Sequence, residues 1–416
     1  MSKGSGRKPE LLIPAGSLEV LKVAVDYGGD AVYIGGEAFS LRAKAKNFSA
    51  EEMAEGIAYA HAHGVRLYVT ANILAHEADL EEAAAYFEEL KALGPDALII
   101  ADAGLFAMAR SICPDIPVHI STQASVSNSL AASFWFDMGA SRVVLARELS
   151  LREIAKIREA IPPETEIECF VHGAMCISYS GRCLLSAALT GREANHGACT
   201  HPCRWKYHVM EETRPGAYFP VEENERGTYV FNSKDLCMID HIPELVEAGI
   251  DSFKIEGRMK TALYVAMVAR AYRRAIDLCF ASEEEYRAAV PELLQEVCKA
   301  TFRPYSTGFY FGKPDTEGQN YEDLPYITGY TYLGCVESLD EKGMARITQK
   351  NKFSVGDGIE IMKKDGRDIP VQVLAMYNAE GEAVESCPHA SEEIWLQLSE
   401  VPECGDILRV QGGREG

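Results

Sequence analysis

The chain has 416 residues, 47% hydrophobic and 25% charged, a balance typical of a folded globular protein with two or three domains. Its formal net charge of −21 argues against binding nucleic acid by bulk electrostatic attraction, because phosphates require facing Lys and Arg side chains. The N-terminal segment lacks the apolar core of a signal peptide, and no window approaches about 18 uncharged apolar residues. We therefore expect a cytoplasmic protein with no membrane span.

Short β-branched runs alternate with amphipathic helical patterns through the first two-thirds of the chain. The predicted strands are Glu10–Ile13, Ala31–Ile34, Arg66–Val69, Ala97–Ile100, Val118–Ile120, Arg142–Leu145, Glu166–Val171 and Ser252–Ile255. The clearest helical patterns are Ala50–His63, Leu80–Leu93, Leu151–Ile161 and Thr261–Cys279. This alternation predicts an α/β fold with a (β/α)8 TIM-like barrel in residues 1–300. An open doubly wound sheet is the alternative, although no glycine-rich phosphate fingerprint follows the first strand.

Polar residues at the carboxyl ends of the predicted strands are the candidate catalytic residues, because a (β/α)8 barrel carries its active site at that face. The candidates are Arg147, His172, Lys254, Glu256 and Arg258. Each of them has an alternative interpretation as a helix cap or as a hydrogen-bonding residue of a loop.

A cysteine-rich insertion, at about residues 172–237, separates the seventh predicted strand from the eighth. Its five cysteines lie among Gly, Arg and Pro in predicted loops, and they are Cys176, Cys183, Cys199, Cys203 and Cys237. Thiols gathered on loops of an intracellular protein usually bind a metal or a cluster. The spacing is compatible with an iron–sulfur cluster and also with zinc, and a disulfide relay is a third interpretation.

Near Tyr326 the pattern changes to short alternating strands that are separated by Gly and Asp turns. The predicted strands are Tyr330–Val336, Met344–Gln349, Gly358–Met362, Val371–Tyr377, Glu393–Leu398 and Asp406–Val410. They predict a small antiparallel β-barrel in residues 326–416, joined to the first domain by a linker at 301–325. We expect this domain to serve recognition or docking.

One segment is basic despite the acidic total. Between Lys254 and Arg274 there are six basic residues and a single acidic one, Glu256. The segment would form either a local basic face for RNA or an ordinary solvated helix surface.

The segment from Glu168 to Ser186 reads ECFVHGAMCISYSGRCLLS and matches the pattern E-x-F-x2-G-A-M-C-x4-G-x-C-x-L-S in full. This pattern resembles the signature of the collagenase-like peptidase U-32 family. The similarity extends to LLIPAGSLEVLKVAVDYGGDAVYIGG, LRAKAKNFS, NSKDLCMIDHIPELVEAGIDSFKIEGRMK and RPYSTGFYFG. Within that family the chain is most similar to the members that hydroxylate tRNA.

The resemblance implies oxygen-independent conversion of the wobble uridine, in the anticodon loop of tRNA, to 5-hydroxyuridine. It implies a 4Fe-4S cluster as cofactor and prephenate as the proposed oxygen source. Four of the five cysteines would bind the cluster, namely Cys176, Cys183 and Cys199 with Cys237 ahead of Cys203 as the fourth. Some family members work as pairs, so a homo- or hetero-oligomer with a related chain is a further expected partner.

Prephenate is a dicarboxylate, and Arg is the side chain best suited to bind carboxylates in a bidentate manner. The candidate prephenate-binding cations are Arg42, Lys46, Arg147, Arg258 and Lys260. Aromatic residues of the insertion are candidates to receive the unstacked base, namely Tyr179, Trp205 and Tyr207.

Two other functions remain as alternatives. A peptidase would have to rely on a Cys176–His172 pair, because the chain has neither a G-x-S-x-G elbow nor an H-E-x-x-H helix. A zinc-stabilised binding module without catalysis would use the same thiols only to stabilise the fold.

Overall fold

The computed structural model describes most of both predicted domains and part of the cysteine-rich insertion. The described residues are 7–36, 39–40, 47–176, 183, 185–192, 194, 198–202, 223–224, 227–228, 234–300, 302–312, 329–389 and 391–412. Several predicted site residues lie outside these ranges, namely Arg42, Lys46, Tyr179, Cys203, Trp205 and Tyr207.

Eight parallel strands of the N-terminal region close into a barrel. The strands of this region are β1 (Glu10–Pro14), β2 (Ala31–Gly35), β3 (Arg66–Ala71), β4 (Ala97–Ile100), β5 (Val118–Ile120), β6 (Arg142–Val144), β7 (Glu166–Gly173), β8 (Glu223–Asn224), β9 (Gly227–Thr228), β10 (Asp235–Cys237), β11 (Ser252–Ile255) and β12 (Tyr305–Ser306). Strands β1 to β7 pair in chain order, and β11 pairs with both β1 and β7, which closes the ring. The predicted (β/α)8 barrel is confirmed, and the open doubly wound sheet is excluded.

Helices surround this barrel and connect its strands. They are α1 (Leu18–Asp26), α2 (Ala50–Ala62), α3 (Leu80–Leu93), α4 (Ala103–Ile112), α5 (Ser129–Asp137), α6 (Leu151–Ala160), α7 (Leu185–Thr190), α8 (Ile242–Glu247), α9 (Ala262–Ala281) and α10 (Glu283–Lys299). Capping boxes fix the start of two of them, Ser49 with Glu52 at α2 and Ser150 with Glu153 at α6. Within the described ranges, none of the helices combines the length and hydropathy that crossing a membrane requires.

A short strand of the insertion lies beside the carboxyl end of β7. Strand β10 runs antiparallel to β7, with Leu236 opposite Gly173 and Cys237 opposite His172, and β12 pairs with its other edge. Cys237 was predicted to lie in a loop, but it is the last residue of strand β10 and is buried at 4% exposure. The reason is that Leu236 and Met238 pack in the core on either side of it.

The C-terminal region forms a second, closed antiparallel barrel, as predicted. Its strands are β13 (Tyr330–Leu339), β14 (Ala345–Thr348), β15 (Gly358–Met362), β16 (Asp368–Tyr377), β17 (Glu393–Leu398) and β18 (Ile407–Gln411). They pair in the order β13-β14-β17-β16-β15-β18 and enclose a separate hydrophobic core. Buried side chains join it to the first barrel: Tyr27 of α1 donates a hydrogen bond to the Met362 carbonyl (2.8 Å), and Arg270 of α9 donates one to the Lys363 carbonyl (3.0 Å).

Candidate active site at the carboxyl end of the barrel

The interior of the first barrel holds charged side chains as well as the branched apolar residues usual in this fold. Arg142 of β6 is 1% exposed and contacts the carboxylates of Glu10 (2.6 Å), Glu166 (2.6 Å) and Glu168 (2.9 Å). Burial alone would raise the pKa of Glu10, but Arg142 and Arg66 outweigh it and hold that pKa below its ordinary value. These pairs compensate the buried charges at the amino-terminal end of the barrel.

The same network continues towards the carboxyl end through Lys254 of β11. Its ammonium donates a hydrogen bond to Glu168 (2.7 Å) and lies 4.5 Å from the centre of the Tyr33 ring. Lys254 is buried at 4% exposure, so this predicted catalytic residue lies inside the barrel below its mouth.

Arg147 and Glu256, both predicted site residues, form an ion pair at the mouth (3.1 Å). Arg147 also donates a hydrogen bond to the Ala174 carbonyl (3.1 Å), and its guanidinium lies 3.9 Å from the centre of the Phe170 ring. Its Nε is buried and has no hydrogen-bond acceptor among the described residues. Because Ala174 precedes Cys176 by two residues, Arg147 is fixed beside the start of the cysteine-rich insertion.

Arg258 is held on the other side of the mouth, next to β2 and β3. It donates hydrogen bonds to Ser40 Oγ (2.6 Å), Thr70 Oγ1 (3.2 Å) and Asn47 Oδ1 (3.4 Å). Gly35, the last residue of β2, makes room for it, because a Cβ there would collide with the Arg258 guanidinium and with Ser40 Oγ. Nearby Lys260 lies 4.8 Å from the centre of the Tyr264 ring.

His172, near the carboxyl end of β7, is separated from the charged side chains of the mouth. The pairing of β7 with β11 shifts by one residue, so that Phe170 lies opposite Lys254 but His172 lies opposite Ile255. The imidazole therefore packs among tyrosines, with Nδ1 3.4 Å from the Tyr272 hydroxyl and Nε2 3.5 Å from the Tyr305 hydroxyl. Burial, with a smaller effect of Lys260, lowers the pKa of His172 to about 3, so the ring is neutral.

Three of the clustered cysteines lie in the segments that follow β7. Cys176 is exposed, and Cys183 and Cys199 are partly exposed. The two segments that carry Cys183 and Cys199 are tied together, because the backbone N–H of Thr200 donates to Ser186 Oγ (3.1 Å). The backbone N–H of His201 also donates to Cys199 Sγ (3.4 Å). Soft thiols of this kind suit an iron–sulfur cluster or zinc.

Cys237 has a different environment. Its Sγ lies 3.9 Å from the Tyr272 hydroxyl, and burial raises the pKa of the thiol to about 12. To join the other cysteines at a metal, Cys237 would have to leave this contact and lose its proton. Across the described part of the chain, no three His, Cys, Asp or Glu side chains are gathered closely enough to hold a metal ion.

The basic stretch from Lys254 to Arg274 is largely neutralised by carboxylates. The pairs are Lys254–Glu168 (2.7 Å), Arg270–Glu296 (2.5 Å), Arg270–Asp368 (2.9 Å), Arg273–Asp30 (2.8 Å) and Arg274–Glu292 (2.8 Å). The stretch as a whole therefore does not form a basic face for RNA, because most of its cations support the fold.

Comparison with family models decides the membership of the chain. Residues 16–320 match the model for peptidase family U32, and residues 328–409 match the model for the C-terminal domain of that family. The chain belongs to peptidase family U32.

The chain is similar to several curated proteins, and for two of them the similarity extends over most of both chains. The chain is 39% identical over 404 residues to tRNA hydroxylation protein P1 of Bacillus subtilis, which covers 97% of this chain and 95% of that protein. It is 38% identical over 431 residues to tRNA hydroxylation protein P of Escherichia coli, covering 94% of each. It is also 38% identical over 273 residues to the 23S rRNA 5-hydroxycytidine C2501 synthase of Escherichia coli, covering 66% of this chain and 40% of that protein.

Among solved structures, the U32 peptidase Mk0906 is similar in 62% of this chain and 96% of that chain. The sequence identity is 16% and the TM-score is 0.41.

Several residues that support the mouth of the barrel were not predicted from the sequence. Glu168 holds Lys254, Phe170 lies under Arg147, and Ser40 and Thr70 hold Arg258. A signal existed for Glu168, because Glu166, Glu168 and Phe170 alternate along one predicted strand and charges inside a buried strand require partners. No comparable signal existed for Ser40, because it lies 218 positions before Arg258 in the chain.

Proposed function

We propose that the chain is an RNA-modifying enzyme that hydroxylates uridine in tRNA. The observation that carries this proposal is the similarity, over 94–97% of the chain, to proteins named for tRNA hydroxylation. The relative named 23S rRNA 5-hydroxycytidine synthase supports it further, because its name describes the same change at carbon 5 of another pyrimidine. The target would be the wobble uridine of the anticodon loop, and the activity would be cytoplasmic.

Prephenate is the proposed co-substrate. Replacing the hydrogen on carbon 5 by a hydroxyl removes two electrons from the base, so a route without molecular oxygen needs a donor that supplies the oxygen and accepts those electrons. The arrangement of Arg147 and Arg258 on two sides of the mouth supports binding of a dicarboxylate. Lys260 lies in the same segment as Arg258, and Arg42 and Lys46 are further candidates.

Glu256 and Arg147 would exchange partners when the co-substrate binds. A carboxylate of prephenate would replace Glu256 on Arg147, and the released Glu256 would then be available as a proton acceptor at the mouth. Lys254, held below the mouth by its ion pair with Glu168, would act as a hydrogen-bond donor towards the substrates. His172, which contacts Tyr272 and Tyr305, would act by positioning the end of β7.

The thiols of the insertion would hold a 4Fe-4S cluster, with Cys176, Cys183 and Cys199 as ligands. Such a cluster supplies a redox or Lewis-acid centre when it is bound. The fourth ligand would be Cys237 or Cys203. Counting iron in a Cys203→Ala variant and in a Cys237→Ala variant separates the two, because loss of the true ligand lowers the iron content and loss of the other does not.

An anaerobic purification distinguishes the cluster from zinc. A brown protein with about four irons and four sulfides per chain supports the cluster. A colourless protein with stoichiometric zinc contradicts it and supports a structural metal site instead.

The experiment that tests the function is nucleoside analysis of tRNA from a deletion strain. We expect 5-hydroxyuridine and nucleosides derived from it to disappear, and to return with the wild-type gene but not with an Arg147→Gln variant. Unchanged levels in the deletion strain would contradict the proposed function. The peptidase alternative has less support, because His172 faces two tyrosine hydroxyls and is not paired with Cys176.

A further inference from the structure

The distribution of cations that lack a carboxylate partner offers an answer to how an acidic chain would bind RNA. Most described Lys and Arg side chains form ion pairs, both inside the barrel and on the surface. Within the described ranges, Arg110, Arg152, Lys156, Arg192, Lys234 and Lys342 form none, and four of these six, Arg152, Lys156, Arg192 and Lys234, lie in the segments that connect β6, β7 and β10. Arg152, Lys156 and Arg192 are exposed, and Lys234 is half-buried.

These four residues belong to the segments that follow the carboxyl ends of β6 and β7. Arg152 is in the first turn of α6, which begins where the loop after β6 ends, and Lys156 follows one turn later. Arg192 follows α7 in the cysteine-rich insertion. Lys234 precedes β10, whose first residues extend past Gly173 at the end of β7.

The carboxylates next to two of these cations, Arg152 and Lys234, are engaged elsewhere. Glu153, beside Arg152, accepts hydrogen bonds from the backbone N–H of Ser150 (2.8 Å) and from Ser150 Oγ (2.7 Å) in the capping box. Asp235, beside Lys234, pairs with Arg303 (2.8 Å). The positive charges of Arg152 and Lys234 are therefore not cancelled by the nearest acids.

We propose that Arg152, Lys156, Arg192 and Lys234 form a phosphate-binding track, which contacts the backbone of the tRNA whose base enters the mouth. This inference rests on the proposed function and adds where the RNA lies. The acidic remainder of the surface would repel RNA from other faces, so the track would set the orientation as well as the affinity.

The test is binding of unmodified tRNA, measured by filter retention between about 50 and 200 mM salt. The variants are Arg152→Gln/Lys156→Gln and Arg192→Gln/Lys234→Gln. We expect weaker binding, and a slope of log K against log salt that is reduced by about one for each phosphate contact removed. The matched control is Lys342→Gln, an exposed lysine that also lacks a carboxylate partner but lies in the turn between β13 and β14. This control should bind as the wild type does.

Four other results would contradict either the phosphate-binding track or the proposed function. If wild-type protein binds tRNA and both double variants keep its salt slope, the track is wrong while the proposed function stands. If Lys342→Gln weakens binding as much as the double variants do, the effect is general electrostatics and the track is again wrong. If polyglutamate competes as well as tRNA at equal charge, the track serves an acidic protein instead. If the wild type binds no tRNA even at low salt, the proposed function itself fails.

Circular dichroism melts of all variants exclude unfolding as the cause of weaker tRNA binding. Single Gln variants replace any double variant that melts early.

Discussion

Glu168 joins two buried cations of the barrel interior, Arg142 and Lys254. It is fully buried and accepts hydrogen bonds from Lys254 (2.7 Å), Arg142 (2.9 Å) and Ser252 (3.1 Å). Breaking a buried ion pair costs far more than breaking an exposed one, because the remaining charge stays buried without compensation. Glu168 therefore compensates the charge of Arg142 inside the barrel and fixes the Lys254 ammonium below the mouth.

We expect Glu168→Gln to lower the free energy of unfolding by about 3–5 kcal/mol, since the amide keeps the shape but leaves two cations without this negative charge. Urea unfolding followed by circular dichroism measures the change. The matched control is Glu55→Gln, which removes an exposed pair with Lys22 and should have little effect. Equal losses for the two variants would show that Glu168 is not compensating buried charge.

His119 of β5 is a second buried residue of the barrel interior, and it should affect the stability of the protein in acid. Its ring packs edge-on against Tyr68 at 4.7 Å, and its Nδ1 has no hydrogen-bond partner among the described residues. Burial first, and then the charges of Arg142, Lys254 and Arg66, lower the pKa of His119 well below its ordinary value. The imidazole is therefore neutral in the folded chain.

This depressed pKa predicts a loss of stability in acid. Below about pH 6.5 the unfolded chain binds a proton at His119 that the folded chain does not, so this stabilisation is complete above that pH and declines as pH falls. We expect about 1.4 kcal/mol per pH unit from this residue, and His119→Gln should remove that part of the slope. Unfolding titrations between pH 7 and pH 5 measure it, with His389→Gln, an exposed residue of the second barrel, as the control. A slope unchanged in His119→Gln would refute the prediction.

At the scale of elements, the end of β2 determines where Arg258 lies. Gly35 gives the guanidinium and Ser40 the space to approach the strand, and Thr70 at the end of β3 adds a second hydroxyl. Gly173 has an equivalent role at the end of β7, where it has a φ of 107° and a Cβ would lie 2.7 Å from the Glu256 carbonyl oxygen. Two glycines thus permit the segment 256–258 to close over the mouth.

We predict that Gly35→Ala lowers tRNA hydroxylation on the order of 100-fold. The added Cβ would displace the Arg258 guanidinium from the hydroxyls of Ser40 and Thr70, and Arg258 would then no longer orient its ligand. The level of tRNA hydroxylation in a complemented deletion strain measures the effect, together with the melting temperature. Gly358→Ala is the matched control, since its Cβ would meet nothing within 4 Å and it lies in β15 of the other barrel. Full activity of a folded Gly35→Ala variant would exclude a role for Arg258 in the reaction.

At the scale of the whole molecule, charged side chains connect the two barrels. Asp368 at the start of β16 accepts hydrogen bonds from Arg270 of α9 (2.9 Å) and Arg409 of β18 (2.5 Å). Arg270 also contacts Glu296 of α10 (2.5 Å), and Arg409 is fully buried. The second barrel is therefore packed against the helices that follow β11, and the two should unfold together.

We expect Asp368→Asn to destabilise the protein by about 3 kcal/mol, because it leaves Arg270 and Arg409 with less compensation. Variants that keep only Trp135, in the first barrel, or only Trp395, in the second, report each domain separately by fluorescence during urea unfolding. Both transitions should shift by the same amount. A shift seen at Trp395 alone would show that the barrels unfold independently, and Asp365→Asn, an exposed pair with Arg367, should shift neither.

The sequence by itself determined the two barrels and the positions of most of their strands along the chain. Strands such as Ala97–Ile100, Ser252–Ile255 and Gly358–Met362 occur where they were predicted, because short apolar runs bounded by turn residues are a local property of the sequence. The tertiary structure alone decided which charged residues meet. The one-residue shift in β7 turns His172 away from the mouth, the pairing of β10 buries Cys237, and ion pairs with distant acids neutralise Arg270 and Arg273. These outcomes depend on strand register and on contacts between residues far apart in the chain, which no local pattern encodes.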